Sequence, residues 1–134
     1  MREQRKDDGK AEYYNGLREE DEKQDRENRE SFSKQLAVDF TVTVSEGRAG
    51  AWLSFPDEFP TLPGREVWAQ GITGISVAET GGERERGQYQ WGTYFMPALI
   101  EMNMTSGRYF YLKVHPDIQE VVLAELIRVW KEWR

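Results

Sequence analysis

Near Phe32 the chain changes character, and the change bounds every fold open to it. Residues 1–31 alternate acids and bases around very little worth burying, chiefly Tyr13, Tyr14 and Leu17. From residue 32 onward the sequence is rich in aromatic and β-branched residues, patterned like a small sheet closed by one helix. A segment of low hydrophobicity cannot offset its ordering entropy by burial, so the first part is ordered only as a helix of its own or against something else. The expected division is a charged N-terminal helical or disordered arm, 1–31, followed by a single α+β domain, 32–134. At 134 residues there is room for one core and not for two.

Helix is the best local state of 17–34, which lacks Gly and Pro and is dominated by Glu, Lys, Arg and Gln. Glu19 with Lys23 and Glu22 with Arg26 add i, i+4 support in the favourable order. Then the period changes. In 37–45, Val38, Phe40, Val42 and Val44 alternate with Asp39, Thr41, Thr43 and Ser45, the pattern of a half-buried strand. A turn at 46–50 returns the chain into a second strand, with Ala51, Leu53 and Phe55 on one face and Trp52 on the other. Pro56, Pro60 and Pro63 make 56–64 a stiff loop, and 65–71 fits either a helical turn or a strand.

The segment 71–80 reads as a strand with Ile75 and Val77 facing together, weakened by Gly71 and Gly74. The charged run 81–87 is expected to be a flexible hairpin loop. An extended stretch, 89–103, places Tyr89, Trp91, Thr93 and Phe95 on one face, is interrupted at Pro97, and resumes with Ala98, Ile100 and Met102. The return strand 108–115 turns Phe110, Leu112 and Val114 inward and Tyr109, Tyr111 and Lys113 outward. Pro116 then opens a terminal helix with the stripe Ile118, Val122, Leu126, Val129 and Trp133, widened by Val121, Leu123, Ile127 and Trp130. The apolar surface is wide enough to pack on the sheet and still touch a second copy in a homodimer. The predicted fold is α+β: an antiparallel β-meander of about five strands covered by a C-terminal α-helix, preceded by a highly charged N-terminal helix or arm.

The chemistry of the side chains argues against most enzyme classes. There is no cysteine, so neither disulfides nor thiolate chemistry is available. The one histidine, His115, precedes Pro116 at a strand end and reads as a surface or capping residue. Acids occur in solvated runs such as Glu19, Glu20, Asp21 and Glu22, without the loop pattern of a calcium site. Glu101 is the one acid set among apolar neighbours, and alternation turns it toward solvent. The Gly-containing turns lack the Lys-Ser/Thr ending of a phosphate loop. No catalytic residue, metal or cofactor is therefore expected.

A net charge of −6 opposes direct nucleic-acid binding, because phosphates are held by clustered Lys and Arg. It suits a basic protein partner instead. No apolar run marks a signal peptide or membrane span, so the cytoplasm is the expected compartment. The order of helix, antiparallel strands and helix, at small size and acidic pI, is shared by immunity proteins, phage-encoded inhibitors of defence systems and secretion chaperones, a likeness of shape that does not specify function. The expected role is a non-catalytic inhibitor or immunity/anti-defence protein that occludes a nucleic-acid-handling enzyme. Its partner-binding residues are expected to be Tyr13, Tyr14, Leu17, Phe59, Tyr109, Tyr111 and Lys113. The alternatives are an accessory subunit of a virion or secretion complex, and a small ligand-binding protein or enzyme with a helix–sheet pocket using Glu101 or His115.

Overall fold

The charged N-terminal sequence forms one continuous helix, α1 (Arg2–Ser33), which runs through Gly9 and Gly16 and tightens into a 3-10 turn, Lys34–Ala37. The computed structural model describes residues 2–87 and 92–134, with side chains from residue 16 onward. Among the described residues nine strands follow: β1 (Thr43–Gly47), β2 (Gly50–Ser54), β3 (Thr61–Leu62), β4 (Glu66–Trp68), β5 (Ile72–Glu79), β6 (Gly82–Glu85), β7 (Thr93–Met96), β8 (Ala98–Met104) and β9 (Tyr109–Val114). A 3-10 turn at Pro116–Ile118 leads into the terminal helix α2 (Gln119–Trp133). The fold is α+β with antiparallel pairing throughout the described strands, as the alternation predicts.

The strands do not lie in chain order within one meander. They form a three-stranded sheet β1-β2-β4, a four-stranded sheet β3-β9-β8-β5 and a separate hairpin β6-β7. The proline loop is the reason for the first reordering. It carries the chain past Lys113, whose N–H donates to the Pro60 carbonyl at 3.0 Å, and so delivers the two residues of β3 to the edge of β9. Of two register shifts in β5, the one between Ile72 and Gly74 falls at a glycine that weakens this strand in sequence, and the other lies between Val77 and Glu79.

One core joins both larger sheets to α2. Leu53 and Val67 enter it from the first sheet, Ile100, Met102, Leu112 and Val114 from the second, and Val122 and Leu126 from the helix, all fully buried. Residues 38–42 keep the alternation predicted for a strand without belonging to one: Val42 is buried, and Val38 and Phe40 pack against the core. Phe59 also belongs there. Its expected place on a partner surface is corrected, because it is 3% exposed and meets Phe40 edge-on with ring centroids 5.0 Å apart. The prolines that stiffen the loop fold it back, with the Phe59 N–H on the Pro56 carbonyl at 2.9 Å, and this aims the ring inward.

The charged run 81–87 likewise departs from expectation: Gly82–Glu85 is strand β6, paired residue for residue with β7. Its anchor is α1. Arg29 forks onto Glu83 at 2.6 and 2.8 Å, and Thr93 on β7 donates to the same carboxylate at 2.8 Å. The predicted face of Tyr89, Trp91, Thr93 and Phe95 lies partly outside the described residues. Of the two that are described, Phe95 is buried against Phe32 and Thr93 is exposed.

Candidate partner-binding surface

Since α2 covers the inner side of the four-stranded sheet, the opposite side is left to whatever the alternation turns outward. Three cross-strand rows stand there. Leu62, Tyr111, Glu101 and Ser76 face one another across all four strands; Lys113, Leu99 and Glu79 form the next row, and Tyr109, Asn103 and Gly74 the third. None of these side chains enters the core. Tyr109 is 52% exposed and Leu62 48%. Tyr111 donates its hydroxyl to Glu101 at 3.2 Å, and this bond, helped by partial burial, holds the phenol above its ordinary range. The result is a rigid ladder carrying two tyrosines, an apolar edge residue and both signs of charge, a mixture typical of recognition surfaces.

On the outward side of the three-stranded sheet the alternation sets two further rows. Ser45, Trp52 and Trp68 form one row, and Thr43, Ser54 and Glu66 the next. Trp52 is 38% exposed. The sequence leaves Trp68 between a helical turn and a strand because its segment carries no clear period, and the pairing of β4 with β2 sets it beside Trp52.

Helix α1 reaches the body near its C-terminal end, and its grip is polar. Asp25 accepts the Phe95 N–H at 2.6 Å and an Arg29 N–H at 2.7 Å, with Arg86 3.9 Å away. Burial pushes the Asp25 carboxyl up, but the Phe95 N–H and the two guanidinium groups outweigh it and hold the group below the usual range. Glu83 is held down at about 2, first by its hydrogen bonds from Arg29 and then by that from Thr93. A cleft of about 280 Å³ runs along this seam, bordered by Asp21, Gln24, Asp25, Asn28, Arg86 and Tyr94.

Gln35 closes the docking. Fully buried, it donates to the carbonyls of Glu58 at 2.8 Å and Lys113 at 3.1 Å and accepts the His115 N–H at 2.8 Å. Three separate segments are tied by one amide. Nothing in the sequence marks it, because a glutamine between Lys34 and Leu36 is ordinary helix composition.

The residues singled out from sequence are therefore scattered. Tyr109, Tyr111 and Lys113 share one face of β9 and lie beside Glu101. Leu17 is 40% exposed on α1, a different element. Tyr13 and Tyr14 lie on the same helix, with side chains outside the described set. His115 caps the turn before α2, its Nδ1 accepting the Asp117 N–H at 3.0 Å, and its ring packs on Phe95. Glu101 faces away from α2, so it lines no helix–sheet interior. Among the described residues, no group of three His, Asp or Glu side chains is placed to hold a metal ion, and no helix is long and apolar enough to cross a membrane. No protein-family model matches the chain, and neither does any curated protein or solved structure.

Proposed function

We propose that this chain is a non-catalytic binding protein, an acidic inhibitor of the immunity or anti-defence kind that occludes a basic, nucleic-acid-handling enzyme in the cytoplasm. The observation that carries the reading is the outward face of the four-stranded sheet, where Leu62, Tyr109, Tyr111 and Glu101 stand on a paired ladder outside the core. Tyrosines on a rigid strand offer contact area at little entropic cost, and the net charge of −6 steers a basic partner toward the protein. Phe59 has no part in it.

Capture with the tagged full-length chain from its native cell tests the reading. A basic partner is expected in stoichiometric amount, and the double substitution Leu62→Asp with Tyr109→Ala is expected to lose it while the circular dichroism stays unchanged. Val121→Asp, at a 67% exposed position on α2, serves as the control that keeps it. Recovery of copies of this chain alone would replace the inhibitor with an assembly subunit. A lone monomer that responds to a small metabolite would replace it with a ligand-binding protein.

A further inference from the structure

The two tryptophans on the outward side of the three-stranded sheet are built in, not left over. Trp52 and Trp68 are direct cross-strand partners. Trp68 donates its indole N–H to the Ala49 carbonyl at 2.8 Å, and its ring runs close over two glycines. A Cβ on Gly50 would come within 2.7 Å of its Nε1, and a Cβ on Gly71 within 2.9 Å of its Cε3. Gly50 also has a φ of +123°, which side chains other than glycine rarely adopt. Gln70 fixes the surroundings by accepting the Ala51 N–H at 2.9 Å and donating to the Trp133 carbonyl at 2.7 Å. Trp68 is thus held as a rigid wall beside the more exposed Trp52.

Within the paired outward rows the one charged residue is acidic. Glu66 lies diagonally across from Trp52 on the same face, exposed, and takes part in no ion pair among the described residues. The paired residues of the outward rows, Thr43, Ser45, Ser54, Glu66 and the two tryptophans, include no Lys or Arg. Among the described residues the cation–π contacts fall on Phe95 and Trp130. An indole face attracts cations, and a planar guanidinium stacks on it while donating in its own plane to a nearby carboxylate.

We propose that Trp52, walled by Trp68 and flanked by Glu66, is a receptor for an arginine side chain of the basic partner. The guanidinium stacks on the Trp52 indole and donates to the Glu66 carboxylate. This deepens the binding reading above and rests on it, adding a second contact surface and the residue type that it selects. A sugar ring would use the same aromatic platform, but it would leave the Glu66 charge and the acidic field of the protein without a counterpart.

The test is a titration of the isotope-labelled full chain, read at the indole N–H resonances of its five tryptophans. The probes are an arginine-bearing Gly-Ser peptide, its lysine counterpart and a neutral maltooligosaccharide. Saturable shifts at Trp52 and Trp68 are expected with the arginine peptide, several-fold weaker binding with lysine, and none with the sugar. Trp52→Ala is expected to weaken the arginine peptide about fivefold. The surface change Glu66→Gln, which leaves the fold alone, is expected to weaken it about threefold. No shift at Trp52, equal binding of both peptides, unchanged affinity in both variants, or a response to the sugar alone would each overturn the proposal. If the peptide fails while the captured partner still depends on Leu62 and Tyr109, the arginine receptor falls and the binding reading stands. If the peptide binds at Trp52 and no basic partner is captured, the binding reading is the one that falls.

Discussion

Helix α2 and helix α1 attach to the same body by different means. The shorter, 15 residues, lays Val122, Leu126 and Val129 into the common core, where burial of apolar area holds it without regard to direction. The longer, 32 residues, has one buried apolar side chain among those described, Phe32, and is placed by directional polar bonds from Asp25, Arg29 and the adjoining Gln35. Area-based attachment tolerates small shifts and ignores pH. Bond-based attachment sets one docking geometry, and single protons or single side chains can release it. The body can therefore keep its fold while α1 loosens.

The largest effect should come from the shared core. Leu126→Ala is expected to destabilise the body by about 3 kcal/mol, with α2 and the two larger sheets lost together in a urea titration; a separate transition of α2 would mean that it is not integral to the core. Gln35→Ala is expected to cost about 2 kcal/mol, because it empties a fully buried site and leaves the His115 N–H and two carbonyls without their partner. Here the fold should survive, with the loss visible in both the proline loop and the C-terminal end of α1. Asp25→Ala is expected to cost about 1 kcal/mol. Its signature is local: faster hydrogen exchange at the Phe95 amide and along α1, with α2 amides unchanged.

Acid should reproduce that release without a mutation. Asp25 and Glu83 have folded values held below their ordinary ones of 3.8 and 4.5, so their joint contribution is complete above 4.5 and fades as pH falls toward the value of about 2 held by Glu83. Exchange protection of α1 is expected to drop across that interval before protection of α2 does, and Asp25→Asn should flatten part of the dependence. The smallest effect belongs to Arg128→Ala. Its bonds to Glu125 and Glu132 lie on the solvent side of α2, and the melting temperature is expected to move by no more than about 2 °C. A larger shift would mean that α2 depends on its polar face more than the comparison allows.

Much of the body was legible because its elements are periodic. Pro116, the stripe through Val122, Leu126 and Val129, and the alternation of β8 and β9 each repeat one choice many times, and repetition survives the loss of any one contact. The separation of Tyr109, Tyr111 and Lys113 from Leu112 and Val114 follows from the same rule. What stayed hidden turns on single groups. The residues Glu83, Arg84 and Glu85 have no apolar alternation, and they form β6 because β7 pairs with them and Arg29, 54 residues away, holds Glu83. Phe59 looks like a loop aromatic until the chain folds back through Pro56. Trp68 becomes half of a platform only when β4 is set beside β2.

Local periodicity was thus enough to determine, from the sequence by itself, that this chain is α+β, where its terminal helix lies, and which face of β9 looks outward. The tertiary structure alone decided where α1 docks, that Gln35 ties three segments together, and that Trp52 and Trp68 stand side by side. The physical reason is one of range: burial patterns are written into neighbouring residues, whereas a hydrogen bond or an aromatic pairing between distant segments exists only once the intervening chain has brought them within contact distance.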